Sequence, residues 1–525
     1  VKYIYSIIKA DYLQRTRSYA FLITLAITFY AAYSFVPPPT ASYTTLNVVG
    51  FKGIYNSAWV GYVSGMMTAI MLSLYGFFLV NGGIKKDIDT EVGLIIATTP
   101  ITNFEYLLSK MLSNLLVLLT IAGCTFGVSI IMFFVRTNGS PFIISNFIIP
   151  YLLFVMPAMF FISSLAVLAE VFLGRKSILQ YIIFFFFFGA LMANINGQKN
   201  ETLSVIIDPF GVRTMTSSIK NQINIQFHEH IDAVNLGFIF NQKLGFKTFE
   251  WNGITITNLL LFSRVLWLLF SIALVYLSSF FFHRFDFKQA VSKKKKSSPH
   301  EQQPAVLAFA STGINRGLMP PLVTNYGIFP FIKTELLLLI RKGSKWFWLV
   351  IVGISASMLF APMAISHLYI LPVLWFLQVT RWSELATKEE TNRLHYFTYA
   401  SYKPLQRMLP AQILAGVILA IVLALPLIVR YVIALNGYAI FNIVNGAICI
   451  VLLAVCLGIV SKGKKLFEIL FFLLTYALTQ SIPVADYLGA MKHDSHVGYI
   501  AVVLSLNSLL VLISFAMRGY QSRHL

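Results

Sequence analysis

Apolar stretches of about twenty residues recur from one end of this 525-residue chain to the other, and each is long enough to cross the roughly 30 Å hydrocarbon layer of a bilayer. That single feature excludes a soluble globular domain. Only 11% of the residues are charged and 57% are hydrophobic, with a mean hydropathy of +0.75, whereas a soluble domain carries roughly 25% charged residues. The sequence predicts an all-α, polytopic transmembrane fold of about twelve helices. Spans are expected near 18–36, 57–81, 108–135, 146–172, 177–195 and 258–282 in the first half, and near 346–363, 366–382, 408–435, 439–460, 466–482 and 498–517 in the second.

The formal net charge of +20 is explained by the loops. With both termini in the cytoplasm, Lys85, Lys86, Arg175, Lys176, Lys293 to Lys296, Lys462, Lys464, Lys465, Arg518 and Arg523 fall inside. The outer loops keep scattered cations such as Lys52, Arg136, Arg430 and Lys492. Cytoplasmic cations are drawn to anionic lipid and resist translocation, which is the asymmetry expected of an integral membrane protein. No basic patch is interleaved with aromatics in the manner of a nucleic-acid groove, so lipid is an expected partner and nucleic acid is not. Cys124, Cys449 and Cys456 all lie in apolar runs and offer neither metal-ligand spacing nor a disulfide pattern. The first apolar run leads into Pro37-Pro38-Pro39 and not a small-residue cleavage site, so it is expected to stay as an anchor.

The chain also repeats its own layout. Residues 1–284 form a first six-span unit with a long outer segment near 196–257, 285–325 a basic cytoplasmic linker containing Lys293 to Lys296, and 326–525 a second six-span unit. Each unit opens with an amphipathic stretch, Tyr3 to Arg17 and Ile328 to Gly343, carrying one acidic residue in its middle and basic residues at its end. That suits a helix lying in the membrane interface. After its second span each unit has a charged connection, Lys85 to Thr102 and Glu384 to Pro404, that is acidic early, then small and polar, and ends at a proline before the next helix.

The run Asp89-Thr90-Glu91-Val92-Gly93-Leu94-Ile95-Ile96-Ala97-Thr98-Thr99-Pro100 resembles the first cytoplasmic loop of the membrane subunits of ABC-type exporters of the ABC-2-like kind, whose permeases have six spans and an interfacial leading helix. The resemblance implies a fused pair of permease copies in a bacterial cytoplasmic membrane, served by a separate ABC ATPase subunit in two copies. ATP and Mg would be bound by that partner and no cofactor by this chain. It further implies that a short helix of this loop docks on the ATPase, with Asp87, Asp89, Glu91, Thr98, Thr99 and Pro100 as candidates in the first unit. Glu389, Glu390, Arg393, Lys403 and Pro404 are the candidates in the second. There the pattern departs, because Glu389 to Arg393 lacks the glycine and the turn at Ser401-Tyr402-Lys403-Pro404 is spread out.

The cargo of such an exporter would be hydrophobic or amphipathic: a peptide, lipid or drug. No Gly-rich phosphate loop followed by Lys and Ser or Thr occurs, so energy would come from a partner or an ion gradient. Ion coupling leaves ionisable residues near mid-membrane, and Glu170 and Glu468 instead stand near cytoplasmic span ends, within reach of headgroups or a cation. The first outer loop, 37–56, has no Asp or Glu to serve a lipid-linked transferase. His228-Glu229-His230 lacks the further ligands a zinc site needs, and no metal or catalytic residue is expected. Polar span residues Gln180, Asn194, Gln412, Asn442 and Asn445 are candidates for a cargo path, with helix-to-helix hydrogen bonding as the alternative. The run Phe184 to Phe188 reads as lipid-facing or core packing. A non-transporting membrane anchor and a gradient-driven transporter remain as alternative functions.

Overall fold

Most spans begin where a side chain satisfies the first orphan N–H groups of a helix. Ser18, Asn56, Thr102, Thr257, Ser344 and Asn436 accept hydrogen bonds from the backbone N–H of Phe21, Trp59, Glu105, Leu260, Phe347 and Ala439, each supplying the N-cap that sets where the helix starts. At Thr102 the cap is reciprocal, because Glu105 accepts in return from the Thr102 N–H at 2.8 Å. The computed structural model describes residues 2–38, 41, 43–48, 50–137, 139–174, 176–197, 201–228, 234–240, 247–282, 327–392, 394–480, 482–491 and 496–523. The expected linker 285–325 and the pair Glu229-His230 lie outside them.

The first half runs through α1 (Lys2–Thr16), α2 (Tyr19–Ser34), β1 (Tyr43–Val48), β2 (Phe51–Gly53), α3 (Ser57–Val80), α4 (Gly83–Asp89), α5 (Val92–Ala97) and α6 (Asn103–Arg136). It continues with α7 (Ser145–Leu173), α8 (Ser177–Gly197), α9 (Glu201–Ile207), α10 (Val212–Phe227), β3 (Val234–Phe240), β4 (Lys247–Phe249) and α11 (Asn258–Phe281). The second half has α12 (Phe329–Arg341), α13 (Lys345–Ser357), α14 (Met363–Phe376), α15 (Val379–Trp382), α16 (Lys388–Thr391) and α17 (His395–Tyr399). It closes with α18 (Pro404–Ile433), α19 (Gly437–Ser461), α20 (Lys465–Thr479) and α21 (His496–Arg523).

Among the described residues seven helices are long and apolar enough to cross a membrane: Ser57–Asp89, Asn103–Arg136, Ser145–Leu173, Asn258–Phe281, Pro404–Ile433, Gly437–Ser461 and Gly498–Arg523. The chain is mostly helical, and these long apolar helices are compatible with an integral membrane protein. Tyr19–Ser34, Ser177–Ala193, Lys345–Ser357 and Met363–Phe376 are apolar but shorter, so that α2, for example, rises only about 24 Å. The all-α expectation needs one correction. Four short strands form a sheet in the order β3-β1-β2-β4, with β1 antiparallel to β3 through Thr44↔Ile239 and Val48↔Val234, and β2 parallel to β4 through Gly53↔Phe249. The loop after α2 and the segment before α11 therefore meet in one structure. Phe51 packs on Phe227 with ring centroids 5.0 Å apart, and Trp59 meets Phe249 and Trp251 at 5.7 and 6.4 Å.

The sheet lies at one end of the bundle and the charged connections α4–α5 and α15–α17 at the other, here the sheet end and the loop end. Leading helices pack on third spans, α1 on α6 and α12 on α18; α7 packs on α11 and α19 on α21. Between the halves α3, α8, α14 and α20 meet through aromatic rings. Phe77 stacks on Phe184 at 3.9 Å, Phe78 lies 4.0 Å from Phe472, Phe376 lies 5.6 Å from Phe472, and Phe188 meets Tyr476 at 6.4 Å.

Two turns at the sheet end share one construction. Asp208 accepts the N–H groups of Phe210, Gly211 and Arg213 at 2.7–2.9 Å, and Asp486 those of Leu488, Ala490 and Met491 at 2.9–3.1 Å. The third residue after each aspartate is a glycine with positive φ, Gly211 at 85° and Gly489 at 64°, a conformation that costs side chains with a Cβ. Each glycine also seats against a span: a Cβ at Gly211 would stand 2.1 Å from Phe154, and one at Gly489 2.3 Å from Asn442. Helices α7 and α19 both end on a residue with positive φ, Gly174 and Lys462. Phe154 and Asn442 precede those two residues by the same number of positions.

Candidate functional site

At the loop end the first connection is built around two buried charges. Gly82, with φ 99°, ends α3 and turns the chain into α4. The first N–H groups of a helix have no partner of their own, and here Glu170 at the end of α7 supplies one. Its carboxylate accepts from the N–H groups of Gly82 (2.7 Å), Gly83 (3.0 Å), Ile84 (2.7 Å) and Lys85 (3.2 Å). A carboxylate there also suits the positive end of the helix. Glu170 is therefore spent inside the protein and does not reach headgroups.

The second buried charge is Lys110 of α6. Its ammonium lies 2.7 Å from Asp11 of α1 and 2.7 Å from Asp87 of α4, and the Tyr106 hydroxyl donates to Asp87 at 2.7 Å. Arg15 at the end of α1 donates to Asn114 of α6, and burial pulls its guanidinium below its ordinary pKa while Asp11, Glu170 and Asp87 oppose that. Leading helix, loop and third span are thus locked by ions in a partly dry place, where losing one partner is costly. Beyond this node the loop faces outward. Asp89, Glu91, Val92, Leu94, Ile95, Thr98 and Pro100 are exposed, Ile95 to 68%, and Thr99 is half-buried. Glu91 has φ 61° and starts α5 from the left-handed region.

The second connection uses the same three elements with its charges moved. Glu335 of α12 pairs with Lys388 of α16, and the buried Glu389 accepts from Gln412 of α18 at 2.8 Å. Glu384 bridges Lys342 at the end of α12 and Lys464 before α20, the latter at 3.2 Å. Burial works against the charge of Glu384, yet these two ammonium groups hold its carboxyl below the ordinary value of 4.5. Arg518 of α21 donates to the Ala386 carbonyl at 2.6 Å and to Tyr399. Leu394, Tyr396, Phe397, Tyr402 and Lys403 are exposed, Phe397 to 79%; Glu390 and Pro404 are half-buried. Lys403 has φ 46° and Pro404 opens α18 at its first turn.

Against the expected solvated docking surface, Asp87 and Glu389 are buried structural anchors, because each faces a donor on the third span. Arg393 lies outside the described residues. Asp89, Glu91, Thr98 and Pro100 are each exposed.

The expected cargo-path residues do not converge. Gln180 accepts from Asn81 at 2.8 Å and donates to the Gly174 carbonyl at 2.8 Å. Asn445 pairs with Asn507 at 2.7 Å, Gln412 serves Glu389, and Asn442 backs Gly489. The side chain of Asn194 lies outside the described residues. Helix-to-helix bonding thus accounts for Gln180, Gln412 and Asn445.

Sequence reasoning took Lys465 only as a cytoplasmic cation, and of its two expectations for Glu468 the structure bears out the cation, since Lys465 lies 3.9 Å away. Lys465 of α20 donates to the Asn81 carbonyl at 2.9 Å and the Tyr181 hydroxyl at 3.1 Å, while Glu468 accepts from Tyr181 at 2.7 Å. Together they latch α20 to α3 and α8 across the two halves. Their signal was an acid three residues after a lysine at the head of an apolar run, a pair that reads equally well as interface charge. Among the described residues no group of three or more His, Cys, Asp or Glu side chains could hold a metal ion. No protein-family model, curated protein or solved structure matches this chain.

Proposed function

We propose that this chain is the membrane-spanning subunit of an ATP-driven exporter of the ABC type, built as two fused six-span repeats, moving a hydrophobic or amphipathic cargo and driven by two copies of a separate ATPase. The observation that carries the reading is the paired construction at the loop end. In each half an acid on the leading helix, Asp11 or Glu335, and an acid on the loop, Asp87 or Glu389, meet one lysine, Lys110 of α6 in the first half and Lys388 of α16 in the second, at the base of a polar connection with an exposed apolar tip. A soluble motor can move membrane helices only through such an element. The repeat reading is supported by the twin aspartate turns, whose glycines seat against Phe154 and Asn442, residues that stand equally far before Gly174 and Lys462. It is supported again by Phe188 and Tyr476, which follow Gly174 and Lys462 by the same number of residues and meet each other across the two halves, as residues on a two-fold interface do.

In this reading the loop end is cytoplasmic, both termini lie there, and the sheet of β1–β4 caps the outer face in a bacterial cytoplasmic membrane. ATP and Mg belong to the partner. The aromatic contact of α3, α8, α14 and α20 is the closed path between the halves, and the Lys465–Glu468–Tyr181 latch is its inner seal.

The test is ATP hydrolysis in native membranes with and without the chain, with topology reporters after Arg523 and near Val234. Chain-dependent hydrolysis, a cytoplasmic terminus and an external Val234 are expected. Hydrolysis that ignores the chain would refute the ATPase reading, and an external terminus would put the docking surfaces on the wrong side.

A further inference from the structure

We propose that the flank of the second half holds a groove for one acyl chain of a bilayer phospholipid, between α19, α20 and α21. A cavity of about 510 Å³ opens there, walled by Cys449 and Leu453 of α19, Leu474 of α20, Tyr487 of the aspartate turn, and Val502 and Leu506 of α21. It lies within the size range of small-molecule sites, roughly 300–1,000 Å³. Its side is open along α21, where Val502 is 69% and Leu506 42% exposed, and that flank faces the hydrocarbon layer of a spanning helix.

The chemistry of the wall selects the occupant. Among the described lining residues the carboxylate is Asp486, and both its oxygens already accept backbone N–H groups from Leu488, Ala490 and Met491. Water needs two to four polar partners to stay in a cavity, and apolar cavities take apolar guests. Protein interiors otherwise tolerate few voids larger than a water molecule, so a space this large beside lipid is filled by lipid.

The corresponding place in the first half is packed shut. Phe161 stands as far before Gly174 as Cys449 stands before Lys462. Its ring meets Trp267 of α11 edge-on at 4.8 Å and lies 6.2 Å from both Phe270 and Phe187. Where one half sets Phe161 against three further rings, the other sets Cys449 beside Leu453, Val502 and Leu506, with Tyr487 and Tyr499 as the aromatic residues of the wall, and the groove is the difference. This comparison rests on the two-repeat reading; the cavity itself does not.

The full chain, reconstituted in dioleoyl phosphatidylglycerol and extracted in mild detergent, is to be weighed by native mass spectrometry. One retained phospholipid is expected. Cys449→Phe, which places in the groove the ring found at the first half's position, should lower retention about tenfold or more. Leu506→Trp, at the exposed rim, should do the same without burying a new ring in the core. Leu509→Phe, exposed on α21 and outside the groove, should retain the lipid as the unchanged protein does. No retained lipid, full retention in both filling variants, equal loss with Leu509→Phe, or retention of a compound other than phospholipid would each overturn the proposal. No ATPase is present in this measurement, so its failure leaves the exporter reading standing, and failure of ATPase coupling leaves the lipid result untouched.

Discussion

Replacing Lys110 by Met keeps the length and packing of the side chain and removes only the charge that joins α1, α4 and α6. The Lys110 side chain is 3% exposed, and its partners Asp11 and Asp87 are 15% and 11% exposed, both at 2.7 Å. Each pair attracts with about 6 kcal/mol at an effective dielectric of about 20. That attraction is offset by the several kcal/mol needed to desolvate each ion, and removing one partner of a buried pair costs about 3–5 kcal/mol. Lys110→Met is therefore expected to lose about 3 kcal/mol or more in SDS-titration unfolding of the purified protein followed by circular dichroism. Adding Asp87→Asn should recover about 1–2 kcal/mol, since one stranded carboxylate is gone. The control is Lys462→Met, whose amine is half exposed and 3.8 Å from Glu390, where the loss should stay under about 1 kcal/mol. If Lys110→Met unfolds like that control, or if Asp87→Asn deepens the loss, the node does not hold these helices together.

Three further outcomes follow from the same reasoning. Glu170→Gln should cost about 1–3 kcal/mol and speed hydrogen exchange at residues 83–89, because four N–H groups lose a charged acceptor; unchanged exchange would contradict it. Gly211→Ala should cost about 2 kcal/mol or more, since φ is 85° and the new Cβ would meet the Phe154 ring. Gly139→Ala, with φ 77° and open space around it, should cost roughly 1 kcal/mol, and equal losses at the two positions would contradict the close seat. Glu384, held below 4.5, stabilises the fold at neutral pH, and that contribution is lost as the pH falls below about 4.5 through its folded value. Glu384→Gln should flatten the acid side of the stability profile there, and an unaltered slope would count against the Lys342–Glu384–Lys464 bridge.

The membrane class was legible because long apolar runs admit few other folds; the caps at Ser18, Asn56, Thr102 and Thr257 emerged only with the structure. The sheet was not legible. Its strands are as short as Phe51–Gly53, too brief for alternation to show, and its partners come from segments far apart in the chain. Acidic residues in the connections did not reveal their roles, since Asp87 and Asp89 look alike in sequence and only the fold sets one against Lys110. The aspartate turns were within reach: Asp208-Pro209-Phe210-Gly211 and Asp486-Tyr487-Leu488-Gly489 share spacing and a glycine, yet a four-residue likeness carries little weight until both glycines prove left-handed. The groove had no signal at all, because a missing ring is visible only against its counterpart.

Recovery of the partner ATPase by surface variants bears most directly on the exporter reading. Asp89→Lys with Glu91→Lys changes two exposed side chains, at the end of α4 and just before α5, and leaves Asp87 and the Lys110 node intact, so expression and insertion should hold. ATPase recovered with the purified chain should fall about tenfold if these two acids face that partner, because their charges are reversed. Tyr396→Ser with Phe397→Ser, on the more diverged second surface, should lower recovery less. Normal recovery with the Asp89 and Glu91 pair, or a larger loss with the Tyr396 and Phe397 pair, would contradict the account of where this chain is driven.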